Sequence, residues 1–236
     1  MKRAARYLGQ LVRVSVWGGL ASILLYLAYT LVTPYRYEDL PPLKDGDIVF
    51  QTINTSQTLA IMFATHSVYS HVGVVEMRDG KPMVIEAVGP VRVISLDKWV
   101  NQGMRDRVAI ARVDGLTAEQ GKATVAAAKA YLGKPYDFYF LDDEKRIYCS
   151  ELVYKAFQKG AGIPVGTVEK VGDLSVDNFF VRDLIRKRWH NYPPCDGQKS
   201  FDACYATVMQ QSLVSPVSLE RDEKVKLIYS NYGLTP

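Results

Sequence analysis

The sequence predicts an α+β fold behind an N-terminal membrane-spanning helix, and three observations carry that expectation. Two apolar runs, His71-Val72-Gly73-Val74-Val75 and Met83-Val84-Ile85-Glu86-Ala87-Val88, flank an Asp79-Gly80 turn, the signal of an antiparallel hairpin. Cys149, Leu152, Val153, Ala156 and Phe157 recur at the spacing of one helical face. Residues 14–33 are 20 consecutive uncharged, mostly apolar positions. As a helix they would reach about 30 Å, the thickness of a hydrocarbon core.

The elements follow in order. Lys2, Arg3, Arg6 and Arg13 precede the apolar run, and Tyr35 and Tyr37 follow it, so the positive-inside rule puts the body outside the cytoplasm. A cleaved signal peptide is the rival reading. The run is longer than an h-region of about 7–15 residues, and 28–30 is an imperfect cleavage site. A Pro-containing linker over 35–44 leads through Asp45-Gly46-Asp47 into a strand, Ile48-Val49-Phe50-Gln51. Asn54-Thr55-Ser56 reads as a helix cap before Leu59, Ile61, Met62 and Phe63. After the hairpin come a strand over 91–94, a short helix over 95–100 and a strand over 108–113. Thr117 and Gln120 form a capping-box pattern opening a helix to about Leu132, which Gly133-Lys134-Pro135 ends. An aromatic and charged loop, 136–148, precedes the Cys149 helix, and Gly160 supplies a stop. Phe179, Phe180, Leu184 and Ile185 share a helical face beside Arg182, Arg186, Lys187 and Arg188. A strand over 224–229 is the one element that stands out in the last forty residues. The chain divides into an anchor, 1–36, a main domain, 37–170, and a C-terminal extension, 171–236.

The chain of 236 residues carries 29 basic and 25 acidic residues. Its excess charge resides in the four N-terminal basic residues, so the body is neutral and carries no sign of a nucleic-acid-binding stripe. Cys195 and Cys204 lie nine apart in a polar segment and suit a small disulfide in an oxidising compartment, leaving Cys149 as the odd thiol. A thiol in the first turn of a helix feels the positive end of the dipole, which favours thiolate. The same position also suits a small buried hydrophobe.

The hairpin can be worked out geometrically. With Asp79-Gly80 as a two-residue loop, Arg78 faces Lys81 and Gly73 faces Glu86. His71, Gly73 and Val75 then share a face with Val84, Glu86 and Val88, and His71 and Glu86 are diagonal neighbours. Gly73 leaves the carboxylate room to lean toward the imidazole. A slip of one residue would send these side chains to the other face. Pro82 cannot donate a hydrogen bond and allows a wider turn, but an even-numbered symmetric loop keeps the faces. A carboxylate beside a histidine fixes its tautomer, and a free thiol completes the parts of activated-nucleophile chemistry. A solvated His–Glu pair at a strand edge is the plainer alternative. His66 and His190 are weaker candidates in surface-like contexts. Zinc-ligand spacings, a Gly-rich phosphate loop and a Gly-x-Ser-x-Gly elbow are all missing, so neither metal nor cofactor is expected.

In this order, Asp45-Gly46-Asp47-Ile48-Val49-Phe50, Ser70-His71-Val72-Gly73-Val74-Val75, Val84-Ile85-Glu86-Ala87, Gly133-Lys134-Pro135-Tyr136-Asp137 and Tyr148-Cys149-Ser150-Glu151-Leu152-Val153 resemble the YiiX-like permuted papain-fold cysteine hydrolases of the NlpC/P60 superfamily. The resemblance covers about 44–165. It implies a barrel-like antiparallel sheet with the cysteine helix packed on it, Cys149 as nucleophile, His71 as base and Glu86 as the residue that orients it. Peptidoglycan endopeptidases of the superfamily usually carry Asp-Cys-Ser-Gly where this chain has Tyr148-Cys149-Ser150-Glu151, which weakens a cell-wall reading.

The function expected is a membrane-anchored cysteine hydrolase or acyltransferase. It would cleave an amide or ester bond through a thioester, on a lipid or lipid-linked substrate, at the periplasmic face of a bacterial inner membrane. Tyr69, Asp137 and Tyr148 are expected to line the substrate pocket. Peptidoglycan cleavage and a non-catalytic lipid- or partner-binding module are the alternatives. The aromatic and basic residues 179–189 suit either contact with the bilayer or a core-packed helix with a solvated basic side.

Overall fold

A computed structural model describes residues 35–143 and 145–233. Its centre is a six-stranded antiparallel sheet. In chain order the strands are β1 (Ile48–Gln51), β2 (His71–Arg78), β3 (Lys81–Glu86), β4 (Arg92–Ser95), β5 (Ala109–Val113) and, far along the chain, β8 (Val225–Ser230). They lie in the order β4-β3-β2-β1-β5-β8, and β6 (Val168–Lys170) and β7 (Ser212–Val214) form a separate two-stranded ribbon.

The hairpin forms in the expected register. Gly73 pairs with Glu86 and Arg78 with Lys81. Asp79 and Gly80 both take positive φ, at 51° and 76°, which is the mirror-image turn whose twist matches the flanking strands. Pro82 pairs with Met77 beyond the last residue of β4, so its missing N–H breaks no bond to a neighbouring strand.

Each face of the sheet has its own core. Ile48, Phe50, Val72, Val74 and Ile85 point to one side, and Val49, Val75, Val84 and Ile110 to the other. On the first side pack α3 (Ala118–Lys129) and α4 (Cys149–Ala156). On the second lies α2 (Leu96–Asn101), which buries Leu96, Trp99 and Val100. Ser95 caps α2, and the Thr117/Gln120 capping box opens α3 as expected. Gly160 does not stop the cysteine helix. A Cβ there would sit 2.4 Å from the carbonyl oxygen of Ala123, so its role is close approach to α3. The chain reverses at Gly162, with φ 69°. Gln57, rather than Asn54-Thr55-Ser56, occupies the N-cap position of α1 (Thr58–Thr65).

Residues beyond 170 do not form a body apart. The strand foreseen over 224–229 is β8 and pairs with β5. Helices α5 (Phe179–Arg188) and α6 (Phe201–Met209) build a third cluster with α1, in which the Cys195–Cys204 disulfide is buried. Short α7 (Pro216–Glu220) leads into β8.

One expectation is corrected. The fold class described here is the α+β body without a membrane-spanning helix, because among the described residues no helix is long and apolar enough to cross a membrane. The longest, α3 with 12 residues, reaches about 18 Å against the roughly 30 Å of a hydrocarbon core. The span expected over 14–33 lies outside the described residues.

Candidate active site

The site begins where β2 begins. His71 is its first residue and is 1% exposed. Its Nε2 lies 2.6 Å from Oε2 of Glu86, across the hairpin diagonal. The ring of Trp99 stacks beside the imidazole at 5.9 Å between centroids. Glu86 is completely buried, a costly place for a carboxylate without partners. Here both oxygens are occupied. Arg92 Nε donates to Oε1 at 2.9 Å, and Gln102 Nε2 donates to Oε2 at 2.7 Å. Arg92 also holds Gln102 through its Oε1 at 3.0 Å. Burial pushes the Glu86 carboxyl up, but the bonds to His71 and Arg92 outweigh it and hold the group below its ordinary value.

Gly73 has a tighter requirement than leaving space for Glu86. A Cβ there would fall 2.5 Å from Cγ1 of Val84 and 3.0 Å from the carbonyl oxygen of Ile85.

Cys149 arrives from the other layer. Helix α4 packs on β2 and sets its first residue, 2% exposed, against the start of that strand. The thiol lies within electrostatic reach of the His71 ring and of the backbone N–H groups of Val72 and Ser150, all of which favour its ionised form. Since Glu86 occupies Nε2, the other ring nitrogen is the one left for sulfur. Burial raises the thiol pKa, yet the imidazole and the two backbone donors bring it below its ordinary value. Burial likewise lowers His71, and its interactions with Cys149 and Glu86 reverse this and raise it to about 9. Both shifts favour a thiolate–imidazolium pair, the form that attacks a carbonyl carbon.

A fourth group at the sulfur escaped the sequence reading. The Tyr136 hydroxyl lies within electrostatic reach of Cys149. It also accepts from Gln57 Nε2 at 2.8 Å. Arg188 in turn donates to Gln57 Oε1 at 3.2 Å and to the carbonyl oxygen of Phe138. Tyr136 stands in the Gly133-Lys134-Pro135-Tyr136-Asp137 motif, so a signal was there. Gln57 and Arg188 carried none, being 79 and 52 residues away from it in opposite directions.

A family model described as a permuted papain-like amidase enzyme, YaeF/YiiX, C92 family, matches residues 42–229. The chain belongs to this C92 family. It is 39% identical over 172 residues to the uncharacterized protein YiiX of Escherichia coli K12, across 70% of this chain and 85% of the relative. It also resembles the crystal structure of metalloprotein yiiX from Escherichia coli O157:H7, with TM-score 0.72 and 34% identity, over 80% of this chain and 98% of that one. The permuted papain-like fold is thereby shown for this chain, and with it a cysteine-type amidase in general terms.

The remaining residues expected at this C92 site divide. Tyr148 caps α4, accepts from the backbone N–H of Val214 at 3.0 Å and stands in the wall of a cavity that also includes Cys149. Asp137 is buried and accepts from the backbone N–H groups of Tyr139, at 2.9 Å, and Leu141, so it pins the loop rather than lining the cavity. Tyr69 is buried in the sheet core between Phe50 and Tyr232 and is not part of the cavity wall. His66 ends α1 and lies 2.6 Å from Oγ of Ser175, while His190 stacks on Trp189, each on the surface.

The description of the Escherichia coli O157:H7 relative as a metalloprotein raises the question of a metal site. Among the described residues no group of three or more His, Cys, Asp or Glu side chains stands together to hold an ion. The Glu86 oxygens are already engaged by His71, Arg92 and Gln102. These donors do not fit a metal, and no chemistry is derived through one.

Proposed function

We propose that this C92-family protein is a cysteine acyl hydrolase that cleaves an amide or ester bond through a thioester on Cys149, with a lipid or lipid-linked substrate. The buried chain Cys149–His71–Glu86 carries this reading. The Cys149 thiolate forms a bond to the carbonyl carbon, and the C–N or C–O bond breaks as the imidazolium of His71 gives its proton to the leaving amine or alcohol. Neutral His71 then takes a proton from water. The hydroxyl joins the acyl carbon, and the sulfur leaves as thiolate. Glu86 holds the ring's orientation and offsets its charge throughout. In this reading the backbone N–H at the start of α4 and the Tyr136 hydroxyl serve as donors to the developing oxyanion.

The lipid side of the reading is supported by the cavity of about 120 Å³ in whose wall Cys149 stands, because that wall is almost wholly apolar. The Cys195–Cys204 disulfide supports action outside the reducing cytoplasm.

The deciding experiment incubates the purified protein with membrane lipids and, separately, with peptidoglycan fragments, and follows products and the Cys149-bound acyl mass by mass spectrometry. Lipid turnover lost in Cys149→Ala and His71→Ala is expected. Turnover of muropeptides alone would overturn the lipid assignment, and activity surviving Cys149→Ala would overturn the thioester.

A further inference from the structure

We infer that Gln57 and Arg188 are positioning residues for the Tyr136 hydroxyl: together they turn its single proton toward the acyl carbonyl at Cys149, so that Tyr136 acts there as a donor only. This rests on the thioester reading above and adds to it what sets the direction of one oxyanion donor.

Arg188 fixes the first step. Among the described residues it is the one charged side chain in the cavity wall that includes Cys149. A half-buried charge beside apolar side chains needs partners. It has two, the carbonyl oxygen of Phe138 and, at 3.2 Å, Oε1 of Gln57. A guanidinium donates and accepts nothing. The Gln57 amide is therefore held with its oxygen toward Arg188 and its amino group toward Tyr136. Gln57 Nε2 donates to the Tyr136 hydroxyl at 2.8 Å. An amide amino group cannot accept the phenol's proton in return. A flipped amide would set donor against donor at a residue that is buried, and leave both without an acceptor. The hydroxyl thus keeps its one proton for its other side.

The fold decides what lies on that side. The chain at Tyr136 runs beside Ile147, two residues before Cys149. The backbone N–H of Asp137 donates to the carbonyl oxygen of Ile147 at 3.2 Å, and that of Ile147 to the carbonyl oxygen of Pro135 at 3.1 Å. Tyr136 and Cys149 are buried in the same cluster, and the hydroxyl lies within electrostatic reach of the thiol. Helices α1 and α5 bring the two outer residues in. Phe63 of α1 stacks on Phe180 of α5, with 4.5 Å between ring centroids. At the far end of α1 the carbonyl oxygen of Ala64 accepts from the backbone N–H of Ser175 at 3.0 Å. The near end, Gln57, then meets the last residue of α5, Arg188. This gives the chain beyond residue 170 a hold on the reaction through Gln57 and Tyr136.

The test follows hydrolysis of p-nitrophenyl butyrate by the full-length protein carrying Tyr136→Phe, Gln57→Glu, Arg188→Met or Arg188→Lys. In Gln57→Glu a carboxylate, its charge offset by Arg188, accepts from the Tyr136 hydroxyl and turns the proton away from Cys149 although the hydroxyl remains. The expected kcat falls about 10–10²-fold, as in Tyr136→Phe, with KM changing less than about threefold. Added to Tyr136→Phe, Gln57→Glu lowers kcat by less than about threefold more, because no proton is left to turn. Arg188→Met frees the amide to flip and costs about tenfold in kcat. Arg188→Lys, which still only donates, regains most of that loss. A Gln57→Glu protein as active as the wild type, or losses that multiply in the double variant, would overturn the inference while leaving the thioester mechanism intact. If the wild type hydrolyses no ester and no acyl mass appears on Cys149, the mechanism fails instead. Neutron diffraction from crystals of the deuterium-exchanged protein then judges the orientation alone. A Tyr136 deuteron on the Cys149 side, with the deuterated amino group of Gln57 facing Tyr136, supports it, and a deuteron directed at Gln57 ends it.

Discussion

His71 Nε2 meets Glu86 Oε2 at 2.6 Å, inside a sheet where neither side chain reaches solvent. The two residues are diagonal across one hairpin, and the pairing of Gly73 with Glu86 sets their distance. The carboxylate is in turn held by Arg92 and Gln102, so its charge is balanced and its orientation fixed.

Replacing that carboxylate tests the relay. Glu86→Gln keeps the size but turns an acceptor into a group that also donates, so the His71 tautomer is no longer enforced. The expected loss in kcat is about 10²–10⁴-fold, with KM changing little, in steady-state ester hydrolysis. A drop of less than threefold would show that Glu86 does not orient the base.

The thiol should titrate well below an ordinary cysteine. Cys149 is lowered from its usual 9.0 and His71 raised to about 9. Iodoacetamide alkylation of Cys149 should therefore already be fast at pH 7. Hydrolysis should fall as pH rises through about 9, where His71 loses the proton that the leaving group needs. In His71→Ala, burial acts on the thiol without its strongest partner, and the alkylation limb should move toward or above 9.0. Alkylation rates measured between pH 5 and pH 10 check this.

Acid stability follows from Glu86. Its folded pKa lies below its ordinary 4.5, so it contributes stability in full above that value and loses it as pH falls through the folded pKa. Urea midpoints measured downward from pH 6 should drop in the wild type with a slope to which Glu86 adds up to about 1.4 kcal/mol per pH unit. Glu86→Gln should show a shallower acid limb.

Tyr136→Phe removes the hydroxyl that lies near Cys149 and accepts from Gln57. If that hydroxyl stabilises the oxyanion, kcat falls by about 10–10²-fold while the far-ultraviolet circular dichroism is unchanged. Retained kcat would limit Tyr136 to packing.

Gly73→Ala tests the strand spacing. The added methyl would lie 2.5 Å from Val84 Cγ1, in a sheet buried on both faces. A loss of about 1–3 kcal/mol in equilibrium unfolding is expected. Gly80→Ala, with φ 76° at the hairpin tip and open space around it, should cost less packing and act through backbone strain alone.

What the chain alone determined is local. Asp79-Gly80 fixed the hairpin register, Thr117 and Gln120 fixed the start of α3, and apolar spacing placed Cys149 at the head of α4. Each depends on contacts between residues close in sequence, where turn geometry and helical period leave few options. The family motifs extended that reading to Cys149 and His71 as the expected nucleophile and base. What only the tertiary structure decided is which distant groups surround the sulfur. Val72 supplies a backbone donor, Tyr136 a hydroxyl, and Gln57 and Arg188 the links behind it. Asp137 went to the loop backbone and Tyr69 to the core, although both neighbour site residues in sequence. The pairing of β8 with β5 and the apolar cavity under α5 are likewise outcomes of long-range burial. Periodicity states that a face will be covered. Only the packed chain states by which residues, because the free energy of burial is indifferent to separation along the sequence.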